Sequence, residues 1–227
     1  QSLKDRYLEY FPNLIITDSI GSTEGGFNGV TIAQKGDKAV GGGPTVKAGQ
    51  DVVILDEKLE IIPEGDDRTG HLGRGGNIPL GYFNDPVKTA ETFVTAADGR
   101  RYVVAGDAAR WAGPGMITML GRGSVSINSG GEKIFPEEVE QALKAHPAVA
   151  DCNVVGAKDE RWGQRVVAIV EFHDGQSADL DELADHCRKH IAGYKVPRQL
   201  HVVDKVVRSP SGKPDYRWAK ELAESAG

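Results

Sequence analysis

The sequence is short of cysteine, of long apolar runs and of basic charge, and each shortage excludes a class of protein. Only two cysteines, Cys152 and Cys187, occur among 227 residues, far apart and within apolar patterns. Isolated cysteines of this kind argue against a disulfide framework or a zinc site, so we expect buried thiols in a reducing compartment. No apolar run is long enough to cross a bilayer and no secretory leader pattern opens the sequence, so we expect a cytoplasmic protein without a transmembrane segment.

The charge balance argues against a nucleic-acid partner. The net charge is -6, whereas binding to a phosphate backbone needs a basic field. Hydrophobic residues make up 39% and charged residues 26% of the chain, which is typical of a globular protein with one large core or two modest ones. Because the sequence opens at Gln1 on what resembles the middle of a helix, we expect a piece of a longer chain. The oligomeric state stays open.

The most informative stretch is residues 121–140, GRGSVSINSGGEKIFPEEVE. Its first half is rich in Gly and Ser and predicts a pliable segment. Its second half predicts a helix that begins at Pro136, with Glu137 and Glu138 in the first turn, where the helix dipole favours negative charge. Residues suited to a buried face then follow at spacings of three and four: Val139, Ala142, Leu143 and His146. A hinge leading into a functional loop and an ordinary linker before a helix both fit this pattern.

On either side of this stretch the pattern predicts different architectures. Before it, short strands dominate, with a buried strand at 14–20, a helix at 85–93 opened by Asp85, and a long glycine-rich connection at 70–84. Further short strands are predicted at 31–33, 51–55, 60–62, 101–104 and 116–120. After residue 121 the predicted order is helix, strand, strand, helix, strand, helix, which describes a compact α+β domain.

The stretch 121–140 resembles the hinge and following loop of the adenylate-forming superfamily, which includes acyl-CoA synthetases, nonribosomal adenylation domains and luciferases. Four more blocks match the family in order, so that the resemblance covers essentially the whole chain. It implies a two-part α+β chain. Residues 1–121 would be the β-rich end of the large AMP-binding domain, and residues 122–227 the small lid domain, a three-stranded sheet with flanking helices. The matching residues of the stretch are Gly121, Arg122, Gly130, Gly131, Pro136, Glu138, Val139 and Glu140.

The block GSTE is similar to the family motif that contacts the nucleotide phosphates. The resemblance gives Thr23 a contact with the α-phosphate and Glu24 the Mg2+ ion, with Gly21 and Ser22 beside the nucleotide. Ile20 replaces the usual aromatic residue that stacks on adenine, so we expect an apolar contact with the base instead. Seen alone, these residues fit a tight turn with a solvated glutamate better than a phosphate site.

Two further blocks concern the ribose and the junction between the two parts. In YVVAGD, Asp107 would accept hydrogen bonds from both ribose hydroxyls, although Ala105 stands where the family has Thr, and an Asp after Gly is commonly just a turn residue. Arg122 would reach the ribose or a phosphate. Ser124 occupies the pivot position, where the family carries Asp or Lys, so we expect a softer hinge.

The last two blocks concern the chemistry of the lid. In relatives that make thioesters, the loop at Gly130, Gly131 and Glu132 swings in for the second half-reaction, and Lys133 would lie near the phosphates of CoA. For Lys133, a simple helix-entry loop is an equally good alternative. Lys213, in SPSGKPDY, occupies the position of the lysine that bridges the substrate carboxylate and the α-phosphate. Without the resemblance, it would be interpreted as a solvated surface lysine.

The resemblance therefore implies an enzyme that uses ATP and Mg2+ to activate a fatty or related acid to an acyl-adenylate and then transfers the acyl group to CoA. The segments SGGEKIFPEEVE and AARW are similar to the corresponding segments of actinobacterial fatty-acid or sterol-side-chain CoA synthetases. The family loop that grips the β- and γ-phosphates is not in this sequence, so we expect that the chain alone cannot complete adenylation. Transfer to a carrier protein, or a noncatalytic domain that retains the fold, are the alternatives.

Overall fold

The structure is a computed structural model that describes residues 7–33 and 44–225. The chain divides into two compact units, and the boundary lies between Leu120 and Gly121. Each unit has its own sheet and its own core. The assignment of the units to a large AMP-binding domain and a lid stays a prediction.

The first unit is built on a mostly antiparallel sheet with a short helix beside it. The strand order along the sheet is β1-β2-β3-β10-β9-β6-β4-β5, with β8 paired to β6 and to β7. Residues 7–10 are also helical. The elements are β1 (Ile16–Ser22), β2 (Gly26–Ala33), β3 (Thr45–Ala48), β4 (Val52–Leu55), β5 (Ile61–Ile62), β6 (Gly70–Arg74), α1 (Pro86–Thr92), β7 (Phe93–Thr95), β8 (Arg101–Val103), β9 (Asp107–Trp111) and β10 (Met116–Arg122).

Side chains of the central strands of this sheet form the core of the first unit. Val46, Ile54 and Ile117 are fully buried there, and Trp111 packs beside them. The indole N–H of Trp111 donates a hydrogen bond to the carbonyl of Ile62 at 2.8 Å, so that burial leaves this polar group paired. The short strands predicted around these residues are confirmed.

Two predictions for the first unit need correction, and one strand was not predicted. The strand predicted as buried at 14–20 is the edge strand β1, where half-buried and exposed residues alternate, because it has a neighbour on one side only. The connection predicted at 70–84 begins with β6, and the segment between β8 and β10 contains β9. The strand β6 was missed because two of its five residues, Gly70 and Gly73, are glycine. A Cβ on Gly70 would lie 2.5 Å from the carbonyl oxygen of Leu55, so close strand packing requires glycine there.

The start of helix α1 is confirmed. The Asp85 carboxylate accepts a hydrogen bond from the backbone N–H of Lys88 at 2.9 Å, and Pro86 stands at the first helical position. These signals are local in the sequence, which is why the pattern located them.

The second unit has helices on both faces of a five-stranded sheet. The strand order is β12-β11-β14-β13, and β15 pairs in parallel with β14. The predicted α+β class is confirmed, but the predicted sheet of three strands is too small, because the stretch before Pro136 folds into a hairpin that adds two strands. The elements are a 3-10 turn (Gly123–Val125), β11 (Ile127–Ser129), β12 (Glu132–Ile134), α2 (Pro136–Lys144), β13 (Val149–Asp159), β14 (Gly163–Phe172), α3 (Leu180–Arg188), a second 3-10 turn (Gly193–Lys195), β15 (Gln199–Val202) and α4 (Tyr216–Ser225).

Side chains of β13 and β14 fill two cores, one on each face of the sheet. Val154 packs against α2 and α3, whereas Val155 packs against α4. The predicted buried face of α2 is confirmed, since Leu143 is fully buried. Cys152 and Cys187 are buried free thiols, as predicted. Over residues 7–33 and 44–225, no helix has the length and apolar character that crossing a bilayer requires.

Candidate functional site

Thr23 and Glu24 lie in the tight turn that joins β1 to β2. Ser22 pairs with Gly26 across the turn, and its hydroxyl accepts a hydrogen bond from the backbone N–H of Gly25 at 2.8 Å. The Thr23 side chain is exposed and that of Glu24 is half-buried. The predicted phosphate-contacting residues therefore project from a hairpin turn held by a local side-chain hydrogen bond.

The Glu24 carboxylate is held by a residue that the sequence pattern did not reveal. The Tyr82 hydroxyl donates a hydrogen bond to Glu24 Oε1 at 2.6 Å. Lys88 Nζ lies 4.2 Å from the centre of the Tyr82 ring, a cation–π contact that further fixes the ring. Tyr82 is 58 residues from Glu24 in the sequence, so no local pattern could have connected them.

The oxygens of this turn fit Mg2+. A carboxylate and a hydroxyl supply the hard oxygen ligands that this ion prefers, and it is usually held by one or two carboxylates together with substrate phosphates. Within the described ranges 7–33 and 44–225, no group of three or more His, Cys, Asp or Glu side chains could hold a metal ion. The binding of Mg2+ by Glu24 stays a prediction.

Asp107 is placed at the first position of β9. Gly106, just before it, has a φ of +90°, a conformation that glycine adopts without strain. The strand that follows pairs with β6, and the Asp107 side chain is half-buried. The aspartate thus stands where a turn enters a strand, and its contact with a ribose stays a prediction.

The junction residues lie against the first turn of α2. The backbone N–H of Arg122 donates a hydrogen bond to Glu137 Oε1 at 3.3 Å. A Cβ on Gly121, whose φ is +129°, would lie 2.0 Å from Glu137 Oε2, so any other residue would displace this carboxylate. The Arg122 side chain is exposed, and Ser124 lies exposed within the first 3-10 turn. Arg122 can therefore reach a ligand, whereas its backbone is anchored.

The predicted thioesterification loop is the two-residue turn of the β11–β12 hairpin. Ser129 pairs with Glu132, which leaves Gly130 and Gly131 as the turn, with φ values of +62° and +88°. Positive φ at both positions is typical of a type I′ turn, for which glycine is favoured. Both glycines, Glu132 and Lys133 are exposed. A complete hairpin therefore precedes the helix, and the role of its turn in the CoA step stays a prediction.

An aromatic and basic surface adjoins this turn, and the sequence analysis missed most of it. The backbone N–H of Gly130 donates a hydrogen bond to the carbonyl of Trp162 at 2.8 Å. The guanidinium carbons of Arg161 and Arg198 lie 4.7 and 5.2 Å from the centre of the Trp162 ring. We call Arg161, Trp162 and Arg198 the Trp162 surface. An indole face with two guanidinium groups can stack on a base and bind phosphate.

Lys213 is exposed on a compact turn just before α4. The backbone N–H of Ser209 donates to the Lys213 carbonyl at 2.9 Å, and the Ser209 hydroxyl accepts from the Lys213 N–H at 3.1 Å. Gly212 within the turn has a φ of +78°, and Arg208 forms a β-bridge with Pro214 across it. The lysine ammonium thus projects into solvent from an ordered backbone.

A buried carboxyl group lies beneath the start of α4. Glu140 is only 4% exposed, and its Oε1 accepts a hydrogen bond from the backbone N–H of Val154 at 2.9 Å. Burial raises the pKa of Glu140 to about 7. Burial and the charge of Glu140 also raise the pKa of the Tyr216 hydroxyl, so these two groups favour their neutral forms.

The predicted site residues thus fall into separate clusters within the two units. Thr23 and Glu24 share one turn with Tyr82, and Gly130 contacts Trp162. The sequence identified the turns, and the fold added the aromatic residues that support them. The convergence of Glu24, Asp107, Arg122 and Lys213 on one nucleotide stays a prediction.

Comparison with known proteins adds a family and several relatives. Residues 138–213 match the family described as the AMP-binding enzyme C-terminal domain. The chain is 57% identical over 220 residues to "3-oxocholest-4-en-26-oate--CoA ligase" of Rhodococcus rhodochrous, covering 97% of this chain and 39% of that protein. It is 54% identical over 223 residues to "Medium/long-chain-fatty-acid--CoA/3-oxocholest-4-en-26-oate--CoA ligase" of Mycolicibacterium smegmatis, covering 98% of this chain and 40% of that protein.

A solved structure shows the same similarity in three dimensions. ATP-bound MatB from Rhodopseudomonas palustris is 26% identical, with a TM-score of 0.74, covering 93% of this chain and 41% of that chain. The chain therefore spans about two fifths of the length of the curated relatives it matches.

Proposed function

We propose, from the match of residues 138–213 to the AMP-binding enzyme C-terminal domain, that the chain is part of an enzyme that joins a carboxylic acid to CoA with ATP. The chain would form the C-terminal part of this enzyme, and we use "the intact enzyme" for the longer protein that contains it. The acid would be a medium- or long-chain fatty acid or a related sterol side chain.

The proposed reaction has two steps. In the first, a carboxylate oxygen attacks the α-phosphorus of ATP, the bond to the bridging oxygen of the β-phosphate breaks, and pyrophosphate leaves. In the second, the CoA thiolate attacks the acyl carbon, the bond to the phosphate oxygen breaks, and AMP leaves. Both steps bring anionic groups together, so catalysis needs positive charge and hydrogen-bond donors at the α-phosphate.

Lys213 supplies this charge in the first step. Its ammonium bridges the attacking carboxylate and the α-phosphate, which lowers their repulsion and stabilises the charge that builds up. Support for this role comes from its exposure at the tip of an ordered turn and from its match to the family lysine.

Residues up to and just beyond the boundary at Leu120 hold the nucleotide. Thr23 donates a hydrogen bond to the α-phosphate, and Asp107 accepts from the ribose hydroxyls, with Arg122 at the ribose or a phosphate. Glu24 would hold Mg2+, which would neutralise charge on the phosphates. The hydrogen bond from Tyr82 supports this role, because it fixes the Glu24 carboxylate on an exposed turn.

CoA is the acceptor that the second unit fits better than a carrier protein. Gly131 leaves room for a pantetheine chain, since it is exposed and a Cβ there would meet nothing within 4 Å, whereas Gly130 packs against Trp162. The adjoining Trp162 surface presents an aromatic face and two guanidinium groups, which suit an adenine ring and its phosphates.

The observation that carries the proposal is the similarity, over nearly the whole chain, to two proteins that are both named CoA ligases. To test it, the intact enzyme is given ATP, CoA and a panel of acids, and the products are identified by mass spectrometry. We expect AMP, pyrophosphate and an acyl-CoA. Acyl-AMP that reacts with a carrier-protein thiol and not with CoA would favour the first alternative.

Lys213→Ala tests the catalytic assignment. We expect adenylation, measured as acid-dependent exchange of pyrophosphate into ATP, to slow by about 10²- to 10³-fold, the usual cost of removing one preorganised charge-stabilising donor. Lys205→Ala is the matched control, because Lys205 is an exposed lysine of the same segment. A noncatalytic domain would lose nothing in either variant, and that result would refute the proposal.

A further inference from the structure

An ion pair at the base of the turn that carries Lys213 ties this turn to the sheet of the second unit. The Arg208 guanidinium donates two hydrogen bonds to the Asp151 carboxylate, Nε to Oδ2 and Nη2 to Oδ1, each 2.5 Å long. Lys144 Nζ lies 3.0 Å from Oδ1 of the same carboxylate. The anchor, as we call Lys144, Asp151 and Arg208, thus joins α2, β13 and the turn.

The geometry of the anchor makes it stronger than an ordinary surface pair. The side chains of Arg208 and Asp151 are 27% and 23% exposed, and a bidentate guanidinium–carboxylate contact fixes both orientation and distance. Burial alone would raise the pKa of Asp151, but the hydrogen bonds from Arg208 and Lys144 outweigh burial and lower it. The carboxylate therefore stays charged and keeps its hold on Arg208.

The anchor acts directly on the backbone of the turn. Arg208 Nη1 donates a hydrogen bond to the Gly212 carbonyl, the residue before Lys213, at 3.2 Å. The backbone of Val206 is also held, since its N–H donates to Glu171 Oε2 on β14 at 2.8 Å. The Arg208 guanidinium thus binds both Asp151 on the sheet and the backbone carbonyl of the residue before Lys213.

We propose that Arg208 and Asp151 are positioning residues for Lys213, which set where its ammonium stands during adenylation. The inference rests on the proposed function. Lys213 has a long, flexible side chain on an exposed turn, so its ammonium can be placed reproducibly only if the backbone beneath it is fixed. Neither Arg208 nor Asp151 needs to touch a substrate for this effect.

The activity test compares the two half-reactions in the intact enzyme. Because Lys213 serves adenylation, Arg208→Ala should slow adenylation by about 10²-fold while the reaction of preformed acyl-AMP with CoA changes by less than about threefold. Arg208→Lys, which keeps the charge but loses the bidentate contact, should fall between wild type and Arg208→Ala. In a Lys213→Ala background, Arg208→Ala should have no further effect, because the two residues act as one unit.

A second measurement needs no activity. In the 227-residue chain, ¹⁵N relaxation reports the order of the Gly212 and Lys213 amides. We expect rigid values in the wild type and a fall to below about 0.6 in the order parameters of Arg208→Ala, with strands β13 and β14 unchanged. Arg217→Ala is the matched control, since Arg217 is a nearby arginine of α4 that is 90% exposed and pairs with Glu221 within its own helix.

The outcomes separate the anchor from the proposed function. If the order parameters of the turn do not change in Arg208→Ala, or if both half-reactions slow equally, the anchor does not position Lys213. If the effects of Arg208→Ala and Lys213→Ala on the adenylation rate multiply in the double variant, the inference is also overturned. If the wild-type intact enzyme forms no acyl-AMP, the proposed function fails, and the relaxation data alone then decide whether Arg208 orders the turn.

Discussion

Replacing Glu140 by glutamine should change the pH dependence of the stability of the second unit. Glu140 is buried at 4% exposure, and burial raises its pKa from an ordinary value of 4.5 to about 7. Its neutral form is therefore favoured in the folded state. Below pH 4.5 the carboxyl group is protonated in both states, and as the pH rises only the unfolded chain ionises at first, so folding loses stability until the pH exceeds about 7.

The size of the effect follows from the shift. At ~1.4 kcal/mol per pKa unit, a change from 4.5 to about 7 corresponds to about 3 kcal/mol. Glutamine retains an acceptor for the Val154 N–H and cannot ionise, so this loss should be absent from Glu140→Gln. The variant should gain about 3 kcal/mol relative to the wild type between pH 4.5 and pH 8.

The assay is urea unfolding at several pH values, monitored by pulsed amide exchange of peptides from β13 and β14, which reports the second unit alone. Burial and the neighbouring His146 and His190 lower the pKa of His186, so its protonation destabilises both proteins at low pH and cancels in the difference. Glu221→Gln, at a 67% exposed side chain of α4, is the control. A difference between Glu140→Gln and wild type that stays constant with pH would refute the reasoning.

Two further predictions concern packing. Leu143→Ala should lower the free energy of unfolding of the second unit by about 2–5 kcal/mol, because Leu143 is fully buried. Leu80→Ala, at a side chain that is 92% exposed, should change the free energy of unfolding of the first unit by less than ~0.5 kcal/mol. Urea unfolding measures both values, and equal effects would contradict the assigned cores. Gly130→Ala should shift the fluorescence of Trp162 and slow the CoA step, because the new Cβ would lie 2.8 Å from the indole. Gly212→Ala is the control: its Cβ would meet nothing within 4 Å, so the fluorescence of Trp162 should not change. An unshifted spectrum in Gly130→Ala would count against the contact between Gly130 and Trp162.

Much of the second unit could be predicted from the sequence because its signals are local. Pro136 with acidic residues after it marked the start of α2, and continuous apolar runs marked β13 and β14. The first unit was less predictable. Gly70 and Gly73 made β6 resemble a loop in the sequence. Close packing requires glycine at these positions, so the strand lacks the branched side chains by which strands are identified.

The residues of the candidate site also divide into those that local motifs predicted and those that no motif predicted. Family motifs identified Glu24, Gly130 and Lys213, each within a short run of residues. Tyr82 beneath Glu24 and Trp162 beside Gly130 were not predicted, because each contact joins distant segments and the partner residue has no motif of its own.

The sequence by itself determined where the turns and helices begin, because glycine, proline and capping side chains act on the backbone within a few residues. Only the tertiary structure decided what stands beneath each turn. Arg208 meets Asp151 across 57 residues of chain. Such a contact depends on the register of β13 against its neighbours and on the burial around it, and neither is encoded in any short run of residues.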